Sequence, residues 1–282
     1  MNREKSIEKI FLLIACSALF SLGLITVFIF KEGMGIFLKI GFGKFIFSPE
    51  WAPGQKQFGL FSMIIGSMWV TIGALVIGVP LSLFVSIFLA EFCPKKIARI
   101  LKPAIELLAG IPSVVYGFIG VVILAPLIRE YLGGPGLSVL AGSMVLAIMI
   151  LPTVISISLD AIQAVPKSYL EGSLALGATR WQSVYMVIIP AAKSGIIASV
   201  ILGMGRAVGE TMAVIMVSGN AVRIPYSVLE PVRTLTSNIA LELGYATGMH
   251  REALFGTGMV LFVIIMILNV AAYIFTKRKV RR

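Results

Sequence analysis

The chain has 282 residues, 58% of them hydrophobic and only 13% charged, with a mean hydropathy of +1.00. A soluble domain runs near 45–50% apolar and about 25% charged, so this balance excludes disorder, a nucleic-acid-binding tail and an ordinary cytosolic enzyme. The formal charge of +11 falls in short segments between long apolar runs, which points to the lipid bilayer as partner and not to nucleic acid.

A bilayer core needs about 20 apolar residues as helix. The first such run is residues 10–30, between Lys9 and Lys31; it is too long for a signal peptide and reads as a retained helix. An outer loop rich in glycine and aromatics follows over residues 31–58, with a turn at Trp51-Ala52-Pro53-Gly54, and reads as a cap on the outer face. The second run, residues 60–90, is long for one span; it is either tilted or bent at Gly78–Pro80. A basic connector from Glu91 to Lys102 reads as a charged stop followed by an interfacial helix.

The third run covers residues 105–128, with a Gly110-Ile111-Pro112 break near its start, and the fourth covers 139–159, with Pro152 inside. The fifth is 195–217 and the sixth 255–275. The fold class expected is therefore an all-α membrane protein of six spans in a single domain, residues 1–282. Fifteen lysines and arginines fall on the side shared by the termini and eight on the other, which sets both termini in the cytoplasm. Cys16 and Cys93 suggest no disulfide framework, and His250, the one histidine, gives no metal cluster.

The inner loop over residues 160–192 is the most informative stretch. Ser168 is placed to cap a helix, with Glu171 three residues on to close a capping box. That helix is brief and stops at Gly177; a second begins around Ala178-Thr179-Arg180-Trp181 and runs to Pro190. Tyr169, Leu170, Ser173 and Leu176 are expected on one side of the first. The loop is either an amphipathic connector or a lever for a soluble partner.

The fifth span carries Arg206 and Glu210 at i and i+4, flanked by Gly209 and Thr211. As helix, this spacing sets both on one face. Ionised groups inside a span are expensive and face a bundle interior or an aqueous path. An arginine fork suits an oxyanion such as phosphate. Two readings stand: a substrate route, or a structural ion pair.

The inner loop resembles the signature of ABC importer permeases, Glu-Ala-Ala, three residues, Gly, nine residues, Ile-any-Leu-Pro. Here Glu171-Gly172-Ser173, Gly177 and Val187-Ile188-Ile189-Pro190 hold those places, with small-for-small and branched-for-branched departures. A narrower resemblance, to the C-type permeases of phosphate import systems, rests on Ser48-Pro49-Glu50-Trp51, on Glu106 to Phe118, on Arg206 to Val214 and on Thr236 to Glu242. It implies the type I importer fold with a cytoplasmic coupling helix, seated in the bacterial inner membrane. The coupling residues it implies are Ser168, Tyr169, Leu170, Glu171, Ser173, Ala175, Leu176 and Gly177; the route residues are Arg206, Glu210 and Thr211. The partners it implies are a sister phosphate permease, an ATPase subunit dimer and an extracytoplasmic phosphate-binding protein. No Gly-x-x-x-x-Gly-Lys-Ser/Thr loop is present, so the chain is expected to be no enzyme and to bind no cofactor, ATP being used by the partner. Another oxyanion, molybdate or sulfate, is the alternative cargo.

Overall fold

The computed structural model describes residues 2–280, with side chains described for all of these except 2–6, 9, 272 and 275–280. Met1, Arg281 and Arg282 lie outside the described residues, so the two arginines enter the charge bias as sequence only. Thirteen α-helices, some joined through single wide turns, are described: α1 (Asn2–Ile40), α2 (Phe42–Phe47), α3 (Phe61–Ile87), α4 (Lys95–Ala109), α5 (Ser113–Ile119), α6 (Ala125–Tyr131), α7 (Val139–Gln163), α8 (Lys167–Ala175), α9 (Arg180–Ser183), α10 (Ile189–Gly209), α11 (Met212–Val217), α12 (Leu235–Glu242) and α13 (Gly248–Val280). A small antiparallel hairpin, β1 (Trp51–Ala52) with β2 (Gln57–Phe58), sits between α2 and α3.

Among the described residues six segments are long and apolar enough to cross a membrane: Ile10–Ile40, Phe61–Phe92, Ser113–Tyr131, Val139–Gln163, Arg180–Gly209 and Gly248–Ala271. At about 1.5 Å per residue each covers the hydrocarbon core of about 30 Å. Apolar side chains therefore face outward along α1 and α13 as readily as inward, because lipid asks for no polar cover.

Several boundaries differ from those expected, each for a local reason. The third span starts at Ser113, not near residue 105, because Gly110-Ile111-Pro112 separates it from α4. α4 itself has one polar flank and no buried residue. The long second run is one continuous helical segment through Gly78–Pro80. A Cβ at Gly78 would lie 3.0 Å from the Ala147 carbonyl and 2.9 Å from Ile150 Cδ1, so this glycine lets α3 and α7 approach closely. The first helix continues to Ile40, well into the stretch expected as outer loop.

The core is the α3–α7–α10 layer. Ala74, Val145, Leu146, Met149 and Ile150 are buried there with Ala207, Ala213 and Val217. Small hydroxyls bind the layer: Ser143 Oγ donates to the Val70 carbonyl at 3.2 Å, and the Ser158 and Ser199 hydroxyls lie 2.7 Å apart. Small residues serve interfaces inside lipid, where close backbone approach replaces the hydrophobic drive.

The outer end is closed by one polar network. Glu242 of α12 accepts from Arg233 at 2.6 Å and from Trp51 Nε1 at 2.8 Å, while His250 Nε2 lies 2.8 Å away. Arg233 also donates to Asn238 Oδ1 at 3.1 Å and to the Asn220 carbonyl at 3.1 Å. The hairpin is thereby pinned to α12 and α13, with its own Trp51 and Phe58 buried in the cluster they share.

Candidate functional site

The fifth span is broken where its polar residues stand. α10 ends at Gly209, and Glu210 is extended, with φ −67° and ψ 133°. Thr211 intervenes before α11 starts at Met212. The expectation of Arg206 and Glu210 on one helical face is therefore corrected: Arg206 lies in the last turn of α10 and Glu210 beyond its end. Among the described residues they form no ion pair with each other. The Glu210 carboxylate instead accepts the Ala213 N–H at 3.3 Å, in the first turn of α11. A carboxylate suits that turn, whose N–H groups lack helical acceptors.

Arg206 is exposed on the surface of the single chain. Its charge complements the C-terminal carbonyls of α10, yet its fork has no carboxylate partner among the described residues. The Tyr116 phenol of α5 lies within electrostatic reach of it. The Tyr116 hydroxyl donates to the Leu108 carbonyl at 2.8 Å, across the Gly110–Pro112 break. Thr211 Oγ1 donates to the Gly209 carbonyl at 3.2 Å, and Thr236 Oγ1 of α12 to the Glu210 carbonyl at 3.0 Å. The Gly209 and Glu210 carbonyls at the break thus each find a side-chain donor. Tyr116, which the sequence offers with Ser113 as a candidate polar lining, thus stands beside the break, whereas Thr236 is a member that sequence reasoning missed. Thr236 comes from α12, 26 positions along the chain from Glu210, and no local spacing signals it.

The cytoplasmic elbow is the second site. α8 has no side-chain cap at its start: the residue before it is Pro166, whose carbonyl accepts the Tyr169 N–H at 3.0 Å. Ser168 therefore lies inside the first turn, and the capping box expected there is absent. Pro166, with its φ fixed by the ring at −57°, itself occupies the N-cap position, so Ser168 falls two residues too late to cap. A true capping box stands one arm later, where Thr179 Oγ1 accepts the Gln182 N–H at 3.3 Å and Gln182 Oε1 accepts the Thr179 N–H at 2.8 Å.

The turn between the arms closes on Gly177, at φ +87°. Its N–H donates to the Leu174 carbonyl at 2.9 Å and that of Ala178 to the Ser173 carbonyl at 3.2 Å, a Schellman closure. Leu170 packs on Ile162, Ile188 and Ala192, and Ser173 is half-buried. Tyr169, Glu171, Ala175 and Leu176 are exposed, with Leu176 91% accessible. The four residues expected on one side thus divide: Leu170 and Ser173 anchor the helix, Tyr169 and Leu176 point away. The second arm is clipped to the end of the second span. Arg180 lies 4.0 Å from Glu91 and over the Phe92 ring, which also meets Trp181 at 5.9 Å.

Six spans, a rigid exposed elbow on the cytoplasmic side and a break beside an unpaired cation define a multi-pass membrane transport subunit. The chain belongs to the family of binding-protein-dependent transport system inner membrane components, whose pattern spans residues 78–282. It is 43% identical to the probable ABC transporter permease protein YqgH of Bacillus subtilis, over 91% of this chain and 85% of that one. It is 38% identical to the phosphate transport system permease protein PstC of Haemophilus influenzae, over 83% and 81%. The same identity holds to PstC of Mesorhizobium japonicum, over 89% and 84%. The fold matches a chain of a bacterial alginate ABC transporter with a TM-score of 0.66 at 16% identity, over 97% and 96% of the two chains. A chain of the MetNI methionine transporter matches with 0.62 at 18% identity, over 82% and 99%.

The chain is thus a multi-pass inner-membrane permease of the ABC importer fold, a non-catalytic subunit that binds no cofactor of its own. As an inner membrane component of a binding-protein-dependent transport system, it works in a multi-subunit assembly.

Proposed function

We propose that this chain is the C-type permease subunit of an ATP-driven phosphate importer, forming half of its route and coupling it to the ATPase. The observation that carries this reading is Arg206, a guanidinium at a helix break inside the membrane with no carboxylate partner among the described residues. Its paired donors fit two oxygens of a phosphate. Relatives named as phosphate permeases, 38% identical, support phosphate as cargo.

In this reading the whole chain is a single permease domain with its coupling loop at residues 160–192. Arg206 supplies positive potential to the passing oxyanion. Glu210 holds the start of α11 and sets the local charge, and Thr211 lines the break. Ser168 to Gly177 seat in the ATPase dimer, with Tyr169, Glu171, Ala175 and Leu176 as the contact surface. Closure of the ATPase moves the elbow; Arg180 and Trp181 carry that motion to the second span through Glu91 and Phe92. A sister phosphate permease supplies the other half of the route, and an extracytoplasmic phosphate-binding protein delivers the ion.

Uptake of radioactive phosphate by the reconstituted complex of four kinds of subunit, with sulfate and molybdate as competitors, tests this. Phosphate should be accumulated with ATP, and neither competitor should slow it at equal concentration. Accumulation of sulfate or molybdate in its place would overturn the assignment of cargo.

A further inference from the structure

The connector helix α4 is unlike every spanning segment. Lys95, Arg99 and Lys102 share one flank with Glu106, the one acid in the helix, and Lys96 lies at the edge of the apolar side. The opposite flank carries Ile97, Ile100, Leu101, Leu107 and Leu108, between 37% and 75% accessible. Only a narrow edge is anchored: Ile105 packs on the Leu89–Ile155–Leu159 cluster, and Lys102 pairs with Asp160 at 3.0 Å. Lys95, Lys96 and Arg99 make no ion pair among the described residues.

The chain fixes where this helix lies. It is tied by Cys93–Pro94 to the inner end of the Phe61–Phe92 span and by Gly110-Ile111-Pro112 to the inner end of the Ser113–Tyr131 span. Both ends are therefore held at the boundary between hydrocarbon and cytoplasm. There the apolar flank meets acyl chains and the cationic flank meets headgroups, as in helices that lie in the interface. Between the cationic flank and the ends of α3 and α7 is an open cavity of about 510 Å³, lined by Lys95, Arg99, Lys102, Cys93, Glu106 and Gln163.

We propose that α4 is a binding site for anionic phospholipid of the inner leaflet, with the headgroup phosphodiester among Lys95, Arg99 and Lys102 and the acyl chains along Ile97, Ile100 and Leu101. Charge complementarity selects this occupant: with Lys102 paired to Asp160, Lys95 and Arg99 still outweigh Glu106 beside the cavity, and basic segments at this depth attract anionic lipid. The site bears on transport through Tyr116, whose hydroxyl ties α5 to the Leu108 carbonyl of α4. Seating of α4 on the leaflet thus sets the angle of α5, which packs on α11 through Gly117.

Native mass spectrometry of the whole complex, released from nanodiscs of equal phosphatidylglycerol and phosphatidylcholine, reads the site directly. The complex should retain phosphatidylglycerol in preference. Lys95→Gln with Arg99→Gln, which spares the Lys102–Asp160 pair, should lower that retention about fivefold for each cation removed. In a Cys16→Ser, Cys93→Ser background, a spin label at Ile100→Cys should be reached by dioxygen and not by a nickel chelate, and one at Lys95→Cys, on the opposite flank, the reverse. Equal retention of both lipids, or no loss in the double variant, overturns the proposal. A label at position 100 shielded from both reagents does so too, since a protein neighbour then covers the flank. Displacement of phosphatidylglycerol by inorganic phosphate would mean a pocket for soluble anions instead. None of these readouts uses phosphate uptake, so their failure is separate from failure of the transport reading.

Discussion

Thr236 Oγ1 donates to the carbonyl of Glu210 at 3.0 Å and so joins the outer helix α12 to the break in the fifth span. The break is not a local weakness of sequence. Thr211 and Thr236 satisfy the backbone there, and the Glu210 side chain satisfies the start of α11.

Thr236→Val keeps the shape and removes that donor. It should cost about 1 kcal/mol of stability and lower phosphate uptake, while Thr236→Ser restores both. Thermal unfolding of the purified complex and uptake in proteoliposomes check this together; wild-type uptake in the valine variant would show that the break holds without Thr236.

Arg206→Gln deletes the charge and the fork. Uptake should fall about tenfold or more, the scale of one charge-assisted contact, with the complex still assembled. Arg206→Lys should restore only part, since an ammonium lacks paired donors. Glu210→Gln keeps an oxygen for the Ala213 N–H and should leave stability near wild type, whereas Glu210→Ala should lose about 1 kcal/mol. Complex yield and uptake measured in the same membranes separate these effects. Full transport by Arg206→Gln would remove the residue from the route.

A side chain at Gly177 meets nothing within 4 Å, so substitution acts through φ alone. Gly177→Ala should cost the elbow about 1–2 kcal/mol of local strain at φ +87°, and Gly177→Asn less. The expected readout is ATP hydrolysis that persists while uptake per ATP falls. Unchanged coupling in the alanine variant would contradict a rigid elbow.

Glu242 accepts from Trp51 and Arg233 and lies beside His250, with its side chain 9% accessible. Glu242→Ala leaves the Arg233 cation unpaired and half the outer network without an acceptor. A loss of about 3 kcal/mol or more follows, read as a lower melting temperature and faster proteolysis of the hairpin in right-side-out membranes. Glu242→Gln should lose less, because it keeps one acceptor oxygen.

The six apolar runs and the Gly177 stop were legible in the sequence, because both are local. A run of about 20 apolar residues is stable only in lipid, and a glycine followed by a new helix start marks a Schellman closure. Ser168 was misread because a Ser-x-x-Glu pattern ignores the proline two residues earlier, which already fixes the helix start. Arg206 and Glu210 were found by type, since charge inside a span stands out in any window. Their relation was not, because helical spacing assumes an unbroken helix. The break at Glu210 is sustained in part by Thr236, from a segment that only the folded chain brings alongside. The outer network is of the same kind: Trp51, Arg233, Glu242 and His250 come from the hairpin, a loop and two helices. Sequence by itself determined what had to leave water and where helices could stop. Which polar groups met inside the membrane was decided by tertiary packing, because each buried donor or acceptor takes whatever partner the fold delivers.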